Sequence, residues 1–149
     1  MSRDQFVRDA YQFVGVPYRY GGNDLTIGVD CSGFVNGILR RFNLVPDLDH
    51  NCAMLYDYFT GATEENAIDC RTQYLAPGNL LFFKGRGGWH IAIYIGIVKD
   101  VETMIEAAGG TSKTATLADA LNRDACVKLS NINRRKDRIA IVDPFILAE

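Results

Sequence analysis

Residues Gly28–Val35 read "GVDCSGFV", and how the chain leaves this stretch decides the fold. From Asp30 onward Phe34, Val35, Ile38, Leu39 and Phe42 recur on one broad apolar face, so a helix starts here with Cys31 in its first turn. Before it, "VPYRYGGNDLTIG" (Val16–Gly28) carries a proline, glycines and an Asn-Asp pair, which reads as a surface loop rather than a regular element. Loops of this length inside a compact domain tend to be functional. A thiol at a helix N-terminus faces the positive end of the macrodipole, so the Cys31 pKa is expected below its ordinary ~8.5, whereas burial would raise it. Cys52, Cys70 and Cys126 lack that setting and are expected to be packing residues.

Upstream, Ser2 and Gln5 fit a capping box, and Phe6, Val7, Ala10, Tyr11 and Val14 follow at helical spacing until Gly15. Downstream, a third helix is expected across Asn51–Phe59 with Gly61 as its stop. Ala62–Ala76 is polar and carries no clear period. Five strands then suggest themselves: Asn79–Phe83 after the Pro77-Gly78 turn, Trp89–Val98, Thr103–Ala108, Cys126–Leu129 and Arg138–Asp143. Helices first and strands later argue α+β with a largely antiparallel sheet, in one domain spanning residues 1–149.

With 149 residues and 48% hydrophobic content, the chain can bury a core without disulfides or metals. The net charge of -2 and the lack of any massed sign point to neither a nucleic-acid groove nor a membrane-binding face. "NRRKDR" (Asn133–Arg138) is read as a solvated turn. Four spaced cysteines without a C-x-x-C pair favour reduced thiols, and two histidines are too few for a ready Cys/His zinc site. No metal and no cofactor are expected. "GRGG" after Lys84 lacks the strand, lysine and helix context of a phosphate loop. "MSRDQFVRDAYQFVG" has no apolar signal-peptide stretch, so the expectation is a chain cytoplasmic as synthesised, or carried on a virion, or delivered to the periplasm.

A nucleophilic thiol needs a base, and the base needs an orienting group. His90 is the better base candidate. Ile91, Ile93, Ile95 and Ile97 claim one strand face, which leaves His90 with Ala92, Tyr94 and Gly96 on the other. His50, beside Asp49 and Asn51, reads as a capping or surface residue. If the hairpin turn is centred on Val98 and Lys99, His90 opposes position 107; centred on Lys99 and Asp100, it opposes 109. Glu106 is the carboxylate close to either place, and could fix the imidazole tautomer and stabilise the imidazolium. Gly33 and Gly37 leave a bare stripe on the Cys31 helix, suggesting close approach by the sheet or by substrate. Gly21 and Gly22 read equally well as an ordinary turn.

Taken together, "VGVPYRYGG" (Val14–Gly22), "GVDCSGFV", "APGNLLFF" (Ala76–Phe83), "WHIAIYIG" (Trp89–Gly96) and "MIEAAGG" (Met104–Gly110) resemble, in order, the NlpC-type family of papain-like cysteine peptidases. The resemblance implies a papain-like α+β fold, with N-terminal helices and the cysteine helix packed on a mostly antiparallel sheet of about five strands. It implies Cys31 as nucleophile, His90 as base and Glu106 as the third polar residue, a position where many relatives carry histidine, asparagine or glutamine. Tyr18, Asp30, Ser32 and Trp89 are the substrate-binding residues it implies. Asn79 departs from the aspartate usual after Pro-Gly, a difference expected to be structural. The family's reaction is hydrolysis of the γ-D-glutamyl bond to a diamino acid in peptidoglycan stem peptides. The implied partner is therefore a stem peptide or muropeptide, with no nucleic acid and no membrane. The compact form looks more like phage and prophage members, which adds a phage tail or injection assembly as an expected partner. Two other readings stay open: an amidase or acyltransferase using the same Cys-His site, and a non-catalytic phage tail component.

Overall fold

The computed structural model describes residues 2–148. Helix α1 (Arg3–Tyr11) starts where the capping box places it: the Ser2 hydroxyl accepts from the Gln5 N–H, and the Gln5 side chain accepts from the Ser2 N–H. The short antiparallel ribbon β1 (Asn23–Asp24) and β2 (Gly28–Val29) lies inside the stretch expected to be irregular. Helix α2 (Cys31–Arg41) follows directly, capped by Asp30, whose Oδ1 accepts from the Gly33 N–H at 2.7 Å. A cap of this kind stabilises a helix by about 1 kcal/mol. Helix α3 (Cys52–Phe59) is capped by Asn51, and Gly61, at φ 80°, turns the chain away after it.

The remaining strands are β3 (Arg71–Thr72), β4 (Leu80–Gly85), β5 (Gly88–Val98), β6 (Val101–Ala108), β7 (Cys126–Asn131) and β8 (Arg138–Val142), with α4 (Leu117–Arg123) between β6 and β7. They form one sheet in the order β3-β8-β4-β5-β6-β7, with every pairing antiparallel. The α+β reading is therefore correct, but the sheet has six strands rather than about five. The additional strand, β3, is two residues long, and both of its residues are polar. Only its pairing with β8 defines it, and such pairing leaves no mark in local periodicity.

The main core lies between α1, α2, α3 and the isoleucine face of β5. Phe6, Phe34, Ile38, Phe59, Ile91 and Ile93 are fully buried there. A smaller cluster on the other face joins Leu81, Phe83, Ala92, Tyr94, Met104 and Ile132. Both sides of the strand alternation are thus covered, which suits the near-continuous apolar runs of β4 and β5. Asn79 is structural: it is almost fully buried, its side-chain amide donates to the Tyr74 carbonyl, and its Oδ1 accepts from Arg3.

Lys99 and Asp100, with φ of 49° and 65°, form the two-residue turn of the β5–β6 hairpin. Val98 pairs with Val101 and Gly96 with Thr103, the register of a turn centred on Lys99 and Asp100. A bulge between Tyr94 and Gly96 then shifts the pairing by one, so that Ile93 meets Ile105. Continued along the strands, this register sets His90 opposite Ala108, between the two positions expected. Glu106 lies two residues away on the same face, a diagonal that long side chains can bridge.

Candidate active site

Cys31 is the first residue of α2, and its half-buried thiol faces a cleft of about 190 Å3 shared with Tyr18, Trp89, His90, Gly110 and Arg134. Burial pushes this thiol up to about 11, and the Asp30 carboxylate beside it adds to the rise. The main-chain N–H groups of Ile91, Ser32 and Cys31 itself pull the other way and are outweighed. The expectation that the helix terminus alone would lower the pKa is corrected accordingly. Burial of the thiol outweighs the N–H groups at the helix start.

His90 is buried, and its Nε2 lies 2.6 Å from Glu106 Oε1. Glu106 has no solvent exposure. Burial disfavours its charged form, yet hydrogen bonds from His90 and Arg134 prevail and hold the carboxyl down to about 2. An ionised carboxylate only accepts, so Nε2 carries the proton and donates it to Glu106, which leaves Nδ1 with its lone pair free for a proton. The carboxylate is also gripped from the far side by Arg134, Nε to Oε2 at 2.8 Å and Nη2 to Oε1 at 2.7 Å.

Arg134 was hidden in the stretch read as a solvated turn, and that reading is corrected. It sits on a 3-10 turn (Ile132–Arg134) after β7, and Arg135, which follows, pairs with Asp137 and donates to the Gly88 carbonyl. Both arginines reach the cleft wall. One signal pointed there. A glutamate within the apolar run "TMIEAA" must be buried on one face, and a buried carboxylate requires a partner.

Tyr18 is held by the loop that precedes α2. Its N–H donates to the Ala125 carbonyl, while the neighbouring Arg19 N–H donates to Val29. Burial, followed by the nearby Cys31 and Asp30 charges, keeps its phenol protonated far above the usual range. The ring packs against Gly110, where an added Cβ would come within 2.0 Å of it. Trp89 stands beside His90, with the Lys84 ammonium 4.7 Å from its ring centre and Tyr56 against it. Asp30 and Ser32, the chain neighbours of Cys31, line a different hollow of about 320 Å3. The four expected substrate-binding residues therefore divide between two hollows.

His50 lines the second hollow and is half-buried there, its Nδ1 2.8 Å from Asn36 Oδ1. It is neither the cap, which is Asn51, nor a free surface residue. Burial is the main cause of its lowered pKa. The bare stripe on α2 also has a different neighbour from the one expected. The Gly22 carbonyl sits where a Gly33 Cβ would be, and Leu25 covers Gly37, so the loop packs on the helix rather than the sheet or substrate. Gly21 and Gly22 do form an ordinary turn, with the Gly22 N–H donating to the Arg19 carbonyl at 2.8 Å and Gly21 at φ 71°, and the Gly28 carbonyl leaves no room for a side chain at Gly22.

A thiol, an imidazole with a free nitrogen and a carboxylate fixing that imidazole are the groups that nucleophilic acyl transfer needs. Comparison with known proteins agrees with the geometry. The chain is 32% identical over 91 residues to Protein P54 of Enterococcus faecium, covering 60% of this chain and 16% of that protein. It is 28% identical over 119 residues to the peptidoglycan endopeptidase RipB of Mycobacterium tuberculosis, covering 72% of this chain and 44% of that one. The chain thus spans less than half the length of either. Among solved structures, the NlpC/p60 domain of the peptidoglycan hydrolase SagA superposes with a TM-score of 0.62 at 22% identity, over 96% of this chain and 99% of that one. RipD of M. tuberculosis, described as a non-catalytic NlpC/p60 protein adapted to peptidoglycan binding, superposes at 0.60 and 16% identity over 96% and 98%. None of these relatives is described as a phage tail component. The profile of the NlpC/P60 family matches residues 15–130, and the chain belongs to that family.

Proposed function

We propose that the protein is a cysteine peptidase that hydrolyses the amide between γ-D-glutamate and a diamino acid in peptidoglycan stem peptides. The observation that carries this reading is the meeting of Cys31 with the His90–Glu106 pair in one cleft. RipB and SagA, described as a peptidoglycan endopeptidase and a peptidoglycan hydrolase, support the substrate class. In the proposed reaction the Cys31 sulfur attacks the amide carbonyl while His90 Nδ1 takes the thiol proton, and main-chain N–H groups at the start of α2 receive the oxyanion. Collapse breaks the C–N bond as His90 returns its proton to the leaving amine. Water then attacks the thioester with His90 again as base, releasing the acid and the free thiol. Tyr18 offers its protonated hydroxyl to the substrate, and the separate hollow lined by Asp30 and Ser32 is a place for the other arm of an extended peptide.

A binding role without catalysis is the second reading, favoured by the likeness to RipD. Retention of Cys31 and His90 on one cleft, with His90 bonded to Glu106, favours the peptidase. Incubation with purified stem tripeptide and tetrapeptide, followed by mass spectrometry, separates the two. Release of the L-Ala-D-Glu dipeptide supports the peptidase, and absence of cleavage from about pH 5 to 9 overturns it. Transfer of the acyl group to an added amine in preference to water identifies an acyltransferase.

A further inference from the structure

The surface beside the catalytic cleft carries an excess of positive charge. Gly87, Arg134 and Arg135 line the cleft and also line an open hollow of about 550 Å3, completed by Arg86, Lys136 and Asp137, so the two spaces adjoin. In a chain of net charge -2, this hollow is lined by four cations and a single carboxylate. Two of the cations are matched, Arg135 by Asp137 and Arg134 by Glu106. Arg86 and Lys136 are exposed and have no carboxylate partner among the described residues.

The fold holds these two residues on loops that are tied to each other. Arg86 lies in the turn between β4 and β5, and Lys136 lies between the 3-10 turn and β8. Arg135 Nη2 donates to the Gly88 carbonyl at 2.9 Å, and the Lys84 N–H donates to the Asp137 carbonyl at 3.1 Å. Asp137 also packs closely on Gly85, where an added Cβ would come within 2.5 Å of its Oδ2. The hollow is therefore formed before any ligand arrives, which lowers the ordering cost of binding.

We propose that Arg86 and Lys136 form an anion subsite for the free carboxylate at the end of the diamino acid side chain, selecting diaminopimelate over lysine. This rests on the peptidase reading. In that reaction the leaving amine takes its proton from His90, so the diamino acid lies on the His90 side of the scissile bond. The turn that holds Arg86 leads directly into the strand that holds His90. A lysine side chain ends in an ammonium alone and would meet like charge there. A diaminopimelate side chain ends in an ammonium and a carboxylate, and the carboxylate can face the cations. The other hollow has the opposite character, with Asp30 and Asp49 and no lysine or arginine in its lining. A peptide with a free amino end and an anionic far end is thus oriented by both. Exposed ion pairs are individually weak, so the subsite acts as a discriminator between substrates rather than as a large source of affinity.

The test uses three tripeptides in which L-Ala-γ-D-Glu is followed by meso-diaminopimelate, by meso-diaminopimelate amidated at its side-chain carboxylate, or by L-lysine. Calorimetry on Cys31→Ala gives their affinities without turnover, and kcat/KM is measured on the chain that retains Cys31. The free diaminopimelate peptide should be favoured over both others by roughly five- to tenfold, the reach of two exposed ion pairs. That preference should shrink as salt rises from about 0.05 to about 0.5 M. Arg86→Ala combined with Lys136→Ala should bring the ratios near one, and Arg86→Glu combined with Lys136→Glu should reverse them in favour of lysine. Thermal melts check that each variant is folded, and either single substitution, which should lose part of the preference, serves if a double variant is not. A wild type without preference, or a folded double variant with the preference intact, overturns the subsite. Charge-dependent binding without cleavage defeats the peptidase reading alone, cleavage with unaltered ratios defeats the subsite alone, and binding of none of the three peptides defeats both.

Discussion

His90 Nε2 and Glu106 Oε1 lie 2.6 Å apart in a pocket where the carboxylate has no contact with solvent. That contact fixes the imidazole tautomer, and Glu106→Gln tests it. A glutamine can offer Nε2 an oxygen, but it removes the charge that balances imidazolium and confronts Arg134 with an amide. We expect kcat on a stem peptide to fall by roughly 10²- to 10⁴-fold, the range for neutralising the carboxylate of such a triad. A variant within a few-fold of wild type would show that Glu106 does not orient the base.

The same carboxylate makes stability depend on acid. Its folded pKa, about 2, lies below the ordinary glutamate value of ~4.3. It therefore stabilises the fold fully above pH ~4.3, and this contribution is lost as pH falls from there toward 2. Urea midpoints measured at pH 6 and pH 3 should drop more for the wild type than for Glu106→Gln. Equal drops would place the acid sensitivity in other carboxylates.

Two glycines on one helix should respond oppositely to alanine. A Cβ at Gly33 would sit 1.9 Å from the Gly22 carbonyl oxygen, a main-chain atom within the loop that carries Tyr18. Gly33→Ala should displace that loop, lower Tm and abolish activity. At Gly37 the nearest atoms, at 3.1 Å, belong to the Leu25 side chain, which can turn aside. There the gain in helix propensity, up to about 1 kcal/mol, should leave Tm unchanged or raised. Thermal melts of both variants check the contrast.

Tyr18→Phe keeps the ring on Gly110 and deletes only the hydroxyl. If that hydroxyl helps hold substrate or oxyanion, kcat/KM should fall by roughly 10- to 10³-fold with Tm little changed. Gly110→Ala, whose Cβ would come within 2.0 Å of the ring, should reduce kcat/KM at least as much by moving the ring itself. Steady-state kinetics on one stem peptide compares the two.

Local pattern was enough to find the helix that carries Cys31, its Asp30 start, and the hairpin that brings His90 near Glu106. These depend on side-chain periodicity and turn chemistry within a few residues of chain. The missing strand β3 and the bulge near Gly96 were not legible, because a two-residue pairing and a one-residue shift in register exist only between strands. The bulge matters, since without it the turn register would set His90 opposite Gly109 and leave Glu106 on the other face, whereas the shift by one puts Glu106 on the same face, on a diagonal from His90.

The sequence by itself determined the fold class and brought thiol, imidazole and carboxylate to one end of the sheet. Only the tertiary structure decided their charges. Desolvation of Cys31 depends on what packs around the start of α2 and opposes the helix dipole that the sequence displays. The charge on Glu106 depends on Arg134, 28 residues further along the chain. Burial and ion pairing are sums over neighbours in space, and no local window of sequence contains those neighbours.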